Sequence, residues 1–311
     1  MESAKFLMDK KTWLPAVISV LLAAGMVAAA EITGEREIIF PEITAIAIGA
    51  LAAPKQVWNT SKLRLFAAVA LSAGTGAAIV RLLPLPFWVQ APLGIFCAAG
   101  YITLLGCGFV PAISACVLPI LMQTGGAAYL ISALGMTALI LGVQTILERF
   151  GLREKCGFVP EARTRGLIKL RAKQSLTAAA ICLLPAYFGE IFITAPPLIV
   201  AFFELSKPNS KPRGRIWQTV LLIGGAAFIG TIMRAALSVG AGLPMAFSAA
   251  VACGAVLWLV DRLGLYFPPC GAIATLPFLI DQSALWKFPL EVLGGYLIFC
   301  AAAVVLFREK T

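Results

Sequence analysis

The sequence predicts an all-α, polytopic transmembrane bundle made of two tandem, parallel repeats of one helical unit. Hydropathy, the placement of charge and an internal repeat carry that reading. The 311 residues are 60% hydrophobic and 13% charged, against about 45–50% apolar and about 25% charged residues in a soluble globular chain. Runs such as Trp13–Ala30, Leu65–Leu83, Val220–Leu237 and Leu290–Phe307 reach the roughly 17–25 residues that a spanning helix needs. They lack the in/out alternation of a lipid-facing barrel strand, so helices are the expected spanning element.

Taken in order, the first segment (12–30) follows Lys10 and Lys11 and ends in an alanine run that resembles a cleavage site. It is longer than a signal-peptide core and more spans follow it, so it is expected to stay as an uncleaved helix. Segment 38–53 begins around Pro41 and closes before Lys55; segments 63–83 and 87–106 are long and rich in Gly and Ala. Segment 109–123 opens at Pro111, and 126–148 completes a first repeat, assigned to residues 1–148. A basic stretch, 149–175, reads as a cytoplasmic linker. The second repeat, 176–311, follows with segments 176–190, 191–206, 216–238, 243–261, 265–281 and 288–307.

The halves overlay. FVPAISACVLP from Phe109 matches FPPCGAIATLP from Phe267, and FPEITAIAIGALAAPK from Phe40 parallels APPLIVAFFELSKP from Ala195. A basic loop, a tryptophan (Trp58 or Trp217) and a Gly/Ala-rich segment follow the second motif in each half. A repeat of this length is a property of the whole fold.

The net charge of +10 is concentrated at Lys5–Lys11, Lys55–Arg64, Arg149–Lys173, Lys207–Arg215 and Arg308–Lys310. Short Lys/Arg-rich loops stay cytoplasmic during insertion, so a multi-pass protein of a cell (inner) membrane is expected, with its amino terminus, linker and carboxyl end cytoplasmic. Each half then crosses an even number of times, and two even units in series are parallel. Segments 38–53, 109–123, 191–206 and 265–281 are near the minimum for spanning, so they either cross or re-enter; four full spans per half remain in the second case. The charge also suits anionic lipid headgroups. No base-stacking or groove-reading element accompanies it, so nucleic acid is excluded as a partner.

With no histidine present, the usual metal, haem and proton-shuttle chemistry of imidazole is excluded. The eight cysteines form no C-x-x-C pair and read as small buried hydrophobes. No nucleotide-binding loop, nucleophile elbow or metalloprotease motif is present, so neither an enzyme nor a cofactor is expected.

The candidate site is built from the short segments. Each opens with proline, at Pro41, Pro111, Pro196-Pro197 and Pro269, which suits a first helical turn. Pro119 and Pro277 fall inside two of them and free a backbone carbonyl there. Short, Pro-interrupted segments at matching places in two halves point to a transporter's central site, and helix starts suit an anion. Thr44, Gly108, Ser114, Thr194, Gly271 and Thr275 are the neutral contacts expected beside these prolines. Arg81 and Arg234 end the third segment of each half; they either snorkel to the interface or line an anion path. Glu42 is the candidate for proton coupling.

The stretches APPLIVAFFELSKPNSKPRGR and LYFPPCGAIATLPFLI resemble the HPP family of integral membrane proteins. Pro196, Pro208, Pro212 and Arg213 would match one family element, and Pro268, Pro269, Gly271 and Ala272 the other, with Phe267 in place of the family's histidine. The resemblance implies a fused double version of the family unit, and some plastid members are associated with nitrite transport. The expected function is therefore a transporter, secondary or channel-like, of a small solute, with a small monovalent anion such as nitrite as the substrate class. The alternative is a non-transporting scaffold that docks a cytoplasmic partner through Arg149–Lys173. The substrate and membrane lipids are the expected partners, and a homo-oligomer is left open.

Overall fold

The computed structural model describes residues 10–155 and 157–308; Lys5, Lys310 and Cys156 lie outside them. Its regular elements are all helical. They are α1 (Lys10–Thr33), α2 (Glu42–Ala47, continued by a wider turn over Ile48–Ala52), α3 (Lys62–Leu82), α4 (Phe87–Leu104), α5 (Pro111–Met122) and α6 (Ala127–Arg149). Then come α7 (Arg165–Phe188), α8 (Pro196–Leu205), α9 (Ile216–Met233, widened over Arg234–Gly240), α10 (Met245–Leu263), α11 (Pro269–Thr275, tightened over Leu276–Phe278) and α12 (Phe288–Leu306). Among these, α1, α3, α4, α6, α9, α10 and α12 are long and apolar enough to cross a membrane. The chain is a helical, multi-pass membrane protein on that evidence.

Long and short helices occupy different places for a reason visible in their composition. The seven long helices bury only 33–44% of their apolar windows inside the protein, so the remaining apolar surface faces outward, as lipid requires. The short helices are apolar all round and carry no such free face. Every residue from Pro111 to Leu121 in α5, from Glu42 to Ala52 in α2 and from Pro269 to Phe278 in α11 is buried. In α8 only Glu204 departs from this pattern. A helix apolar on every side belongs in a core, and these four form it.

The short helices run from one end of the bundle to the other. Ahead of α5, the Gly108 amide donates to Asn59 O at 2.9 Å and Arg64 Nη1 to Leu105 O at 2.6 Å, beside the start of α3 and the end of α4. After α5, Gln123 Nε2 donates to Gln90 Oε1 at 3.0 Å, at the start of α4. In the same way α11 begins near Gly264, which accepts from Arg215, and ends at Ile280, which accepts from Arg234 at the far end of α9. The segments left open between crossing and re-entering therefore extend along the bundle from end to end. A helix of 12 residues is only about 18 Å long, against about 30 Å of hydrocarbon, so the protein is thin at its centre and recessed at both ends.

Packing follows one pattern in each half. Helix α3 lies against α4, α5 and α6, and α9 lies against α10, α11 and α12. The halves also exchange contacts: α1 packs on α10 and α7 on α4, while α2 crosses α11 and α5 crosses α8. Gly76 and Gly230 make the equivalent close approaches. A Cβ on Gly76 would overlap Cys116 O and Pro119, and one on Gly230 would overlap Ala274 O and Pro277.

One boundary differs from expectation. Residues 165–175, expected in the linker, are the first turns of α7, started by the Thr164 hydroxyl, which accepts from the Leu167 amide at 3.1 Å. Arg165, Lys169, Arg171 and Lys173 depress the hydropathy there without opposing helix formation, so a hydropathy window starts the segment too late. The rest of the linker lies across the bundle end. Asn59 Nδ2 donates to Val159 O at 2.8 Å, the Glu161 amide donates to Gly106 O at 2.9 Å, and the Arg64 guanidinium sits 4.6 Å over the Phe158 ring.

A short helix buried end to end must find partners for its terminal backbone groups inside the protein. The leading prolines remove donors at the starts. At the ends, a side chain caps each helix. Arg153 Nη1 takes Leu51 O and Ala53 O, both at 2.6 Å, at the end of α2. Gln123 Nε2 takes Ile120 O at 2.7 Å in α5, and Gln174 Nε2 reaches Phe203 O at 3.3 Å and Ser206 Oγ at 2.8 Å in α8. Arg234 Nη1 takes Pro277 O and, at 2.7 Å, Ile280 O beyond α11. Arg234→Ala is expected to cost about 1–3 kcal/mol through uncapped buried carbonyls. Arg81, exposed at the end of α3, is expected to tolerate alanine within about 0.5 kcal/mol. Thermal unfolding of the two purified variants checks this: equal melting temperatures would refute the capping role.

Candidate functional site

Helix α2 carries two polar side chains into the core, and each meets a partner from another short helix. Glu42, in the first turn of α2, is 1% exposed and accepts at Oε1 from the hydroxyl of Ser114 on α5, itself fully buried. Glu42 Oε2 has no protein partner. Two residues on, Thr44 Oγ1 lies 2.7 Å from Thr275 Oγ1 on α11, joining the halves. Thr275 Oγ1 also donates to Gly271 O at 2.9 Å, and Cys253 Sγ of α10 lies 3.9 Å away. The crossing is close because Gly271 has no side chain: a Cβ there would meet Ile48 Cδ1 at 2.6 Å and the Thr44 backbone at 3.2 Å.

Pro119 denies the Ala115 carbonyl its helical donor, and the Tyr129 hydroxyl donates to that oxygen at 2.5 Å. The Tyr129 ring meets Phe40 edge-on, centroids 5.7 Å apart. Tyr129 and Pro119 also line a cleft of about 210 Å³, with Arg36, Glu37 and Asp281 among its lining residues. Arg36 and Asp281, exposed and 2.8 Å apart, bridge the halves beside it. Close by, Lys287 Nζ lies 2.5 Å from Glu190 and 3.1 Å from Glu291. The hydrogen bond from Lys287 holds the Glu190 carboxyl below its ordinary range, and its return effect raises the Lys287 ammonium.

The opposite end opens into a vestibule of about 910 Å³, walled by the loop after α2, Gly108, Glu161, the loop between α8 and α9, and Gly264–Tyr266. Its charged lining is Lys55, Lys207, Lys211 and Arg215 against Glu161 and Glu204. Four cations and two carboxylates make it net positive, which raises the local concentration of anions.

The sequence-derived candidates are thus divided. Glu42, Thr44, Ser114, Gly271 and Thr275 come together at the crossings of the short helices. Pro41, Pro196 and Pro197 start helices at the Arg36 end, while Pro111, Pro269 and Gly108 lie at the vestibule end. Thr194 serves the turn before α8, donating to Ile191 O at 3.1 Å. Arg234 caps α11, and Arg81 packs its side chain along Gly125. The sequence reading missed Tyr129. Its signal was a lone phenol in an apolar run shortly after a mid-helix proline.

No family model matches the chain, and neither a curated protein nor a solved structure is significantly similar to it.

If Thr44 and Thr275 form a real interhelical bond, a double-mutant cycle with Thr44→Val and Thr275→Val yields a coupling energy of about 0.6 kcal/mol, up to about 1.7. Additive melting shifts would mean that the two threonines only pack.

Proposed function

We propose that this protein is a secondary transporter of a small monovalent anion, coupled to protons through Glu42. The observation that carries the proposal is the buried Glu42–Ser114 pair, set among four short Pro-led helices at the thin centre of a membrane bundle. An ionisable group inside a membrane protein is costly and marks an ion or proton path far more often than a structural need. In a chain without histidine, a carboxylate is the side chain suited to exchanging a proton there. Ser114 occupies Oε1 and leaves Oε2 as the atom that takes the proton. A proton on Oε2 cancels the carboxylate's charge, so a monovalent anion enters beside it with no net change in the charge of the site and without like-charge repulsion.

The net-positive vestibule supports an anionic substrate, and the cleft under Arg36 and Asp281 is the opposite approach to the same layer. The matching packing of α3–α6 and α9–α12 supports two parallel repeats, and alternating access then follows from one half rocking against the other. The vestibule end, which also carries the basic linker, is assigned to the cytoplasm by its Lys and Arg content. Similarity to the HPP family fits the same reading and makes nitrite the first anion to try.

Uptake into proteoliposomes tests it, using nitrite, nitrate, chloride and formate with and without an inward proton gradient. Wild-type protein is expected to show saturable uptake of one anion, accelerated by the gradient. Glu42→Gln should remove the acceleration, leaving the rate seen without a gradient, and Ser114→Ala should weaken it. Gradient-stimulated uptake that survives Glu42→Gln would overturn the coupling role, and no anion uptake by folded protein would overturn the substrate class.

A further inference from the structure

Away from the short-helix core, the outer surface carries an apolar groove of about 550 Å³ between α7 and α12, lined by Leu176, Ala180, Ile181, Pro185, Ile298 and Ala302 among others. Two features shape it. Ala180 and Ala302 offer only methyl groups where the helices face each other, and Pro185 removes the hydrogen bond to the Ile181 carbonyl, which loosens α7 at that level. Helix α7 packs mainly on α4, and its α12 side is the open one.

The groove is one stretch of a longer stripe. Arg165, Lys169, Lys173, Thr177, Ile181 and Pro185 succeed one another at intervals of four, so they form a single row along α7. Through the groove the row is apolar except for the Thr177 hydroxyl, and beyond it, toward the vestibule end, it is cationic. Lys173 Nζ donates to Leu306 O at 2.5 Å and lies 4.6 Å from the Phe307 ring. That anchors the ammonium at the top of the groove and uses one of its three donors. Lys169 and Arg165 are exposed one and two turns further out.

We propose that this row is a binding site for an anionic phospholipid, with one acyl chain in the groove and the phosphate headgroup on Lys173 and Lys169. The order of the chemistry matches the order within a lipid: about three turns of apolar channel, then a fixed cation, then mobile cations. Snorkelling lysines alone would need no groove, and a groove alone would take any acyl chain. The two together select a negatively charged headgroup.

The test is native mass spectrometry of the detergent-solubilised full chain, titrated with phosphatidylglycerol or phosphatidylcholine of identical acyl chains. Wild-type protein is expected to bind one phosphatidylglycerol in preference to phosphatidylcholine. Lys169→Gln with Lys173→Gln should reduce that preference by roughly five-fold per lysine. Ala180→Phe with Ala302→Phe, which fills the groove from lipid-facing positions, should remove the tightly bound lipid of either class. Equal wild-type binding of both lipids, or a preference retained after the lysine changes, would overturn the headgroup site. Unchanged lipid binding in the phenylalanine variant would overturn the groove. Circular dichroism and elution volume report folding of each variant, and since the readout is lipid mass, the result is independent of whether any solute is transported.

Discussion

The structure depends on satisfying the backbone of four short helices that are buried from end to end. A long transmembrane helix can leave its unpaired terminal amides and carbonyls in headgroup water. Helices α2, α5, α8 and α11 are too short for that and too deeply covered by neighbours. Proline at their starts and a side-chain cap at their ends answer the two halves of the problem. Gln174 on α7 and Arg234 at the end of α9 cap from long helices, so at α8 and α11 the capping also ties the surrounding helices to the core.

That solution also fixes where the bundle is recessed. Short helices make the bundle thin at its centre, and the recesses above and below them become the vestibule and the Arg36-edged cleft. Between those recesses the polar side chains are few and paired: Glu42 with Ser114, Thr44 with Thr275. The Thr44–Thr275 contact and the Arg36–Asp281 bridge both join one half to the other, at the core and at the surface respectively. Any motion of one half against the other has to break or slide these contacts. The close approaches at Gly76 and Gly230 lie within a half, by contrast, and favour each half moving as a unit.

The two stretches read from the sequence as resembling the HPP family fall on α8 and α11, two of the four core helices, with the basic loop after α8 forming part of the vestibule wall. In that setting Phe267, where the family carries histidine, is a buried ring 6.4 Å from Tyr296. It packs at the start of α11, while the Glu42 carboxyl lies on α2.

Much of the fold was legible in the sequence because hydropathy and proline act locally. Each of the twelve segments corresponds to a helix, since apolar length and the breaks between segments are properties of consecutive residues. The start of α7 was misplaced because charged residues lower hydropathy without disfavouring a helix, and a threonine cap decided the boundary. Within the site, Glu42, Thr44, Ser114 and Thr275 were legible as rare polar groups near Pro-led starts. What the sequence could not supply was pairing across the chain. Glu42 meets a residue 72 positions away and Thr44 one 231 positions away, and Arg234 spends its charge on carbonyls that follow α11. The sequence by itself determined a helical membrane protein with four short segments, because burial in lipid is read from composition along a single run. Only the tertiary structure decided that those segments run the length of the bundle, and that one arginine is a cap and one glutamate a core partner, because a buried polar group is defined by what lies opposite it.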